Sequence, residues 1–181
     1  TSYPVTRETA DKSMRRTHAW AQRCKTHWEQ SQKAHASTLF GIVQGSVFED
    51  LRLQSVQCLT DIDFPGYAVG GVSVGESKTE MLQVMEWTAP RLPEDKPRYL
   101  MGVGPPEDVL NAIERGVDMM DCVMPTRNAR NGCLFTSQGR MNIKNQAYTT
   151  DFGPLNPNCG CPVCATYTRA YLSHLYRSGE I

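Results

Sequence analysis

Four short apolar runs, each separated from the next by a stretch of helical periodicity, constrain this chain more than any other feature. The runs are Leu39–Gln44, Tyr67–Val72, Tyr99–Val103 and Val117–Met124. Each has the length of a strand buried on both faces. Between them, Phe48–Ile62 carries Leu51, Val56 and Leu59, Thr79–Ala89 carries Met81, Leu82, Met85 and Trp87, and Glu107–Arg115 carries Val109, Leu110 and Ile113. Those spacings predict amphipathic helices. Helix starts are marked by Ser46, by Ser77 with Glu80 three residues on, and by Pro105-Pro106, and Gly116 closes the last helix. The first 35 or so residues, through Trp20, Trp28 and His35, place Ala10, Met14, His18 and Ala21 on one helical face and predict one long helix.

The predicted order is therefore α-β-α-β-α-β-α-β. Strands joined by helices of this length are parallel, with right-handed crossovers, so the fold class is α/β. About four βα units are half of a (β/α)8 TIM barrel, whose full length is about 250 residues. On that view the chain is part of a barrel with a sheet edge that something must cover; a free-standing four-stranded sheet is the alternative. Beyond Met124 the pattern changes. Cys133–Thr136, the turn Ser137–Arg140 and Met141–Lys144 predict a hairpin, and Ala165–Arg177 predicts a helix after a loop holding Gly153-Pro154 and Asn156-Pro157. The expected division is a barrel part over residues 1–132 and an appended hairpin and zinc-binding part over residues 133–181.

With 181 residues and 40% apolar content the chain can bury one sizeable core, which excludes a disordered tail. No apolar stretch is long enough to cross a membrane, and the start Thr1-Ser2-Tyr3-Pro4 does not resemble a signal peptide, so a soluble cytoplasmic protein is expected. Nineteen basic and nineteen acidic residues cancel overall. Their distribution is uneven: residues 1–121 hold 13 basic and 17 acidic side chains, whereas residues 122–181 hold 6 and 2. No carboxylate falls between Cys122 and Thr150, while Arg127, Arg130, Arg140 and Lys144 do, giving a surface suited to phosphates. A solvated loop that lacks acids explains the charge pattern equally well.

Seven cysteines are an odd number and do not form a disulfide framework. Cys24, Cys58, Cys122 and Cys133 stand singly and read mostly as small buried hydrophobes in a reducing compartment. Cys159, Cys161 and Cys164 are three thiols within six residues, a spacing that wraps one tetrahedral ion, with zinc the natural candidate. His174 is the only downstream histidine, and its ten-residue offset favours a packing role over a fourth ligand. Asp121 ends the fourth apolar run, at the rim where parallel α/β folds place their chemistry; it is either a partner for a backbone amide or a reacting group. Gln44 and Gly70-Gly71 end the first two runs on the same rim. Gln44 offers a donor and an acceptor suited to a base edge, and Gly71 lets a flat ligand approach bare backbone. Met101, on the third run, packs in the core or lies against a flat ring.

Taken together, Phe40–Ser46, Tyr67–Glu76, Asp95–Gly104, Asp121–Arg127 and the cysteine cluster closely resemble the tRNA-guanine transglycosylase (queuine tRNA-ribosyltransferase) family over essentially the whole chain. The resemblance implies a (β/α)8 barrel with a zinc subdomain that exchanges the wobble guanine of a tRNA anticodon loop for a 7-deazaguanine base. On it Asp121 is the nucleophile toward ribose C1′, Gln44 and the backbone at Gly71 and Val72 read the base, and Met101 flanks the ring. Arg127 and Arg130 match RNA-contacting positions, and Cys159, Cys161 and Cys164 match three ligands of a structural Zn2+ whose fourth ligand falls beyond Ile181. Val74 resembles the bacterial form, which takes 7-aminomethyl-7-deazaguanine (preQ1), while Pro105 replaces a lysine that approaches the RNA. The family's second catalytic aspartate and another that grips the base fall upstream of Thr1, so the 181-residue chain alone is expected to be inactive. A homodimer is expected from the resemblance as well. A non-catalytic partner subunit or zinc-dependent RNA-binding module on the same scaffold is the competing expectation, against which Asp121 and Gln44 speak.

Overall fold

A computed structural model describes residues 2–31 and 37–181, which form two compact units, Thr1–Cys122 and Val123–Ile181. In the first unit, helix α1 (Arg7–Gln30) starts where the Thr6 side chain accepts the Thr9 N–H. Its buried residues, Ala10 and Met14, pack with Leu51 of α2 (Glu49–Ile62). The helix is shorter than its sequence pattern, and His35 lies outside the described residues. Strands β1 (Phe40–Val43), β2 (Gly66–Val69), β3 (Arg98–Leu100) and β4 (Met119–Met120) form one parallel sheet in the order β1-β2-β3-β4. Helices α2, α3 (Lys78–Thr88) and α4 (Pro106–Glu114) make the crossovers.

Strand order follows chain order with no reversal, so right-handed crossovers wind one way and put the helices on one side of the sheet. The core agrees. Val43, Tyr67, Val69 and Leu100 from the strands meet Val56 and Leu59 of α2, Val84 and Met85 of α3 and Ala112 of α4 in a single cluster. Full burial of each larger aliphatic side chain is worth about 1.5–3 kcal/mol, so this cluster carries the unit. The register pairs Ile42 with Ala68, Ala68 with Tyr99 and Tyr99 with Met119. That row lies on the opposite face, where Ile42 and Tyr99 are half-buried and Met119 is 47% exposed. The expectation of strands buried on both faces thus holds for β2 and fails for β1, β3 and β4, because within this unit the crossover helices pack on one side of the sheet.

Local signals at helix ends were mostly obeyed. Ser77 and Glu80 close a full capping box on α3, Pro106 opens α4, and Gly116 follows its end at φ +83°. Ser46 does not cap α2. Phe48 stands at the cap without a side-chain bond, and Ser46 is buried at φ +54° in the turn after β1. The single cysteines are not core residues either: Cys24 is exposed and Cys58, Cys122 and Cys133 are half-buried.

The second unit begins with α5 (Met124–Arg130), a helix without a buried residue that its sequence pattern did not announce. Strands β5 (Cys133–Thr136) and β6 (Gly139–Asn142) form the expected antiparallel hairpin, with the second strand two residues earlier than its pattern suggested. The predicted C-terminal helix is two: α6 (Pro162–Thr166) and α7 (Arg169–Ser178), the latter capped by the Thr168 side chain. Buried Ser173 ties α7 to the hairpin side by donating to the Ile143 carbonyl at 2.9 Å, and Arg169 pairs with Asp151 at 2.9 Å. Among the described residues no helix is long and apolar enough to cross a membrane.

Candidate active site

The register of the parallel sheet brings the sequence-predicted rim residues into one row. Val43, Val69, Leu100 and Met120 are mutual partners at the last paired position of their strands. The next residues are Gln44, Gly70, Met101 and Asp121. Two backbone bonds extend the row, from Gly70 N to Val43 O at 3.0 Å and from Met101 N to Val69 O at 3.3 Å. At the usual spacing between strands, the row from β1 to β4 is about 14 Å wide. Period-two alternation sends Gln44, Met101 and Asp121 toward the face of Ile42 and Tyr99, away from the helices.

Asp121 is exposed, immediately after β4. Its Oδ1 accepts the Tyr99 hydroxyl at 2.6 Å and the Gly102 N–H at 2.9 Å. The Tyr99 bond, then the Gly102 amide, holds the Asp121 carboxyl below the usual carboxylate range. The same bond pushes the Tyr99 phenol up. Gly102 donates from φ +74°, a conformation that favours glycine. The carboxylate is therefore ionised, oriented through one oxygen, and open to solvent.

At the other end of the row, the Gln44 carboxamide lies on the Gly70-Gly71 backbone. A Cβ on Gly70 would stand 2.8 Å from Gln44 Nε2, and one on Gly71 2.6 Å from Gln44 Oε1. Gly71 also adopts φ +65°, so bulk and backbone both demand glycine there. Val72 is buried at 5% exposure. Beyond it the Glu76 carboxylate accepts the Ser73 N–H and, at 2.9 Å, the Val74 N–H, which folds the loop after β2 back on itself.

Beneath this loop lies a residue whose role the sequence reading missed. Arg52 of α2 is fully buried and donates to four backbone carbonyls: Ser46 and Gly70 at 2.7 Å, Gly71 at 3.1 Å and Val43 at 3.2 Å. Burial pushes its pKa down to about 9, still well above neutrality, so the group stays cationic. One turn on, buried Ser55 accepts the Gln44 N–H at 3.1 Å and meets His18 Nε2 at 2.9 Å. The signal was present in the sequence, as an arginine inside the otherwise apolar stripe Leu51, Val56 and Leu59. In the sequence Tyr99 belongs to an apolar strand run, and nothing local marks it as a partner of Asp121.

In the second unit, Arg127 and Arg130 are both exposed, one turn apart on α5, which has no acidic residue in its first turn. Cys159, Cys161 and Cys164 bring their three Sγ atoms within 4.8 Å of one another. Thiolates around a tetrahedral zinc stand about 3.8 Å apart, given a Zn–S bond of about 2.3 Å, so this cluster fits the ion with small adjustments. The Cys164 N–H and the Cys159 thiol hold the Cys161 thiol below its ordinary pKa, which favours the thiolate a metal needs. His174 is not among the ligand-forming residues of this cluster.

The sequence model of the queuine tRNA-ribosyltransferase family matches residues 1–181. The chain is 55% identical over 179 residues to a queuine tRNA-ribosyltransferase of Halothermothrix orenii, covering 99% of this chain and 47% of that protein. It is 55% identical over 181 residues to the enzyme so named from Azoarcus sp. strain BH72, and 54% identical over 181 residues to that of Acinetobacter baylyi. These cover the whole of this chain and 48% and 47% of the relatives, so the chain spans about half the length of the curated relatives it matches. A match of this extent, joined to the row of rim residues and the cysteine cluster, shows that the chain belongs to the queuine tRNA-ribosyltransferase family.

Proposed function

We propose that the protein carrying this chain exchanges guanine in a tRNA anticodon loop for a 7-deazaguanine base such as preQ1, with Asp121 as nucleophile. The observation that carries this reading is the Asp121 carboxylate: ionised, solvent-open, and held by Tyr99 and Gly102 through Oδ1 at the end of the row that begins with Gln44. An electron pair from the carboxylate, offered by Oδ2, attacks ribose C1′; the bond from C1′ to the guanine nitrogen breaks, its electron pair stays on that nitrogen, and the nitrogen takes up a proton from solvent. The covalent ribosyl-Asp121 ester is then opened when the ring nitrogen of the incoming base gives up its N–H proton to solvent and attacks C1′, and the carboxylate leaves with the electron pair of the broken ester bond. Two displacements at one carbon retain its configuration. The target nucleotide leaves the anticodon stack to reach the rim, where base edges meet Gln44 and the Gly71 and Val72 backbone and a ring face meets Met101.

The sheet is read as half of a (β/α)8 barrel, with its strands' C-terminal ends forming the mouth. Sequential strand order and helices on one side support that reading. Arg127 and Arg130 are assigned to the RNA backbone. Cys159, Cys161 and Cys164 would hold a structural Zn2+, which when bound supplies a cross-link and no chemistry to the reaction. The working protein is a cytoplasmic homodimer on this account. The test is exchange of labelled guanine in tRNA by the full-length protein. The wild type exchanges the label and Asp121→Asn loses at least a thousandfold in rate; exchange at an undiminished rate in that variant removes Asp121 from the reaction.

A further inference from the structure

We infer that Arg52, with Ser55 beside it on the buried face of α2, is the positioning device of the base-reading rim, a role that rests on the reading above. A fully buried cation is costly unless its donors are met. Among the described residues, every hydrogen bond from Arg52 goes to a backbone carbonyl and none to a carboxylate. The four carbonyls belong to Val43 and Ser46, which bracket Gln44, and to Gly70 and Gly71. One planar group thus fastens the ends of two adjacent strands to each other, which a salt bridge would not do.

Peptide planarity gives this fastening a consequence. The C=O of one residue and the N–H of the next point in opposite directions across a trans peptide. With the Gly70 and Gly71 carbonyls turned onto Arg52, the N–H groups of Gly71 and Val72 point away from it. Among the described residues neither N–H finds a protein acceptor. On the β1 side, Ser55 takes the Gln44 N–H, fixing the backbone from which the carboxamide reaches over Gly71. Arg52 and Ser55 therefore set, from beneath, the relative placement of one side-chain amide and two main-chain donors. Those are the groups assigned to the base edge, and preorganising them lowers the ordering cost of binding.

The experiment uses the full-length protein and measures steady-state exchange with guanine or preQ1 as the free base, together with tRNA affinity and thermal unfolding. Arg52→Lys, which keeps a buried cation but reaches fewer carbonyls, is expected to raise KM for the free base at least tenfold. The same variant keeps kcat within about threefold and leaves tRNA affinity unchanged. Arg52→Met should be worse than Arg52→Lys, so the conservative variant partly rescues. Ser55→Ala removes a single acceptor, folds, and raises the same KM about threefold; it decides the matter if both Arg52 variants fail to fold. An unchanged base KM in folded Arg52→Lys, or in Ser55→Ala when neither Arg52 variant folds, overturns the positioning role. Absence of exchange in the wild type would instead sink the functional reading and is separable from that result.

Discussion

Asp121 Oδ1 accepts from the Tyr99 hydroxyl and the Gly102 amide, so the protein itself fixes the orientation of this carboxylate. Tyr99→Phe removes the larger cause of its depressed pKa. The folded-state value then rises toward that of an ordinary aspartate, and the acid limb of the pH profile for covalent adduct formation moves to higher pH. Any stabilisation from this carboxylate is present above the ordinary aspartate range and fades as pH falls through the depressed value. Lost positioning lowers the neutral-pH rate by about tenfold. A pH profile with its acid limb unmoved contradicts the assignment of Tyr99. Gly71→Ala is the second test at this scale: with φ +65° and Gln44 Oε1 where the Cβ must go, it should weaken free-base binding by at least about tenfold, read by calorimetry. Both residues stood in the sequence, but only Gly71 was recognisable. A glycine pair after a strand signals close approach. A tyrosine within an apolar run signals packing until the register shows which strand end it faces.

Elements were legible where their signals are local. The capping box of α3, the proline opening of α4 and the hairpin turn each depend on a few adjacent residues, and each formed. Signals that depend on partners elsewhere misled. The run Val117–Met124 yields only Met119–Met120 as strand, because pairing with β3 ends there and the remaining residues build the turn that carries Asp121. Helix α5 buries nothing, so it has no apolar stripe to read. Its two arginines instead make a cationic face in a stretch free of acids. If they contact RNA phosphates, replacing both with alanine reduces the slope of log affinity against log salt by about 1.4, at about 0.7 per single-stranded phosphate contact. Filter binding of tRNA at several salt concentrations measures it. A slope equal to the wild type's returns α5 to being a solvated helix.

At the scale of the molecule, two features ask for something further. The sheet face of Ile42, Tyr99 and Met119 is only partly covered, and strand order runs without reversal, as half a closed barrel would. The three-thiol cluster in the second unit could hold a metal ion. A zinc chelator added to the full-length protein should remove the metal and lower the melting temperature by about 10 °C or more, since binding free energy at a structural site is folding free energy. Hydrogen exchange should then rise in Val123–Ile181 well before it rises in the sheet. Equal protection with and without metal contradicts a structural zinc. The cluster was legible because its ligands lie within six residues. Arg52 was not, because its four acceptors come from two strand ends that only the folded sheet brings together.

A covalent bond between Asp121 and the ribose can be weighed directly. Full-length protein incubated with a tRNA substrate, denatured, digested with protease and ribonuclease, and analysed by tandem mass spectrometry should yield a ribosylated peptide whose added mass sits on Asp121. The same peptide without added mass, under conditions where another peptide carries the sugar, contradicts the account.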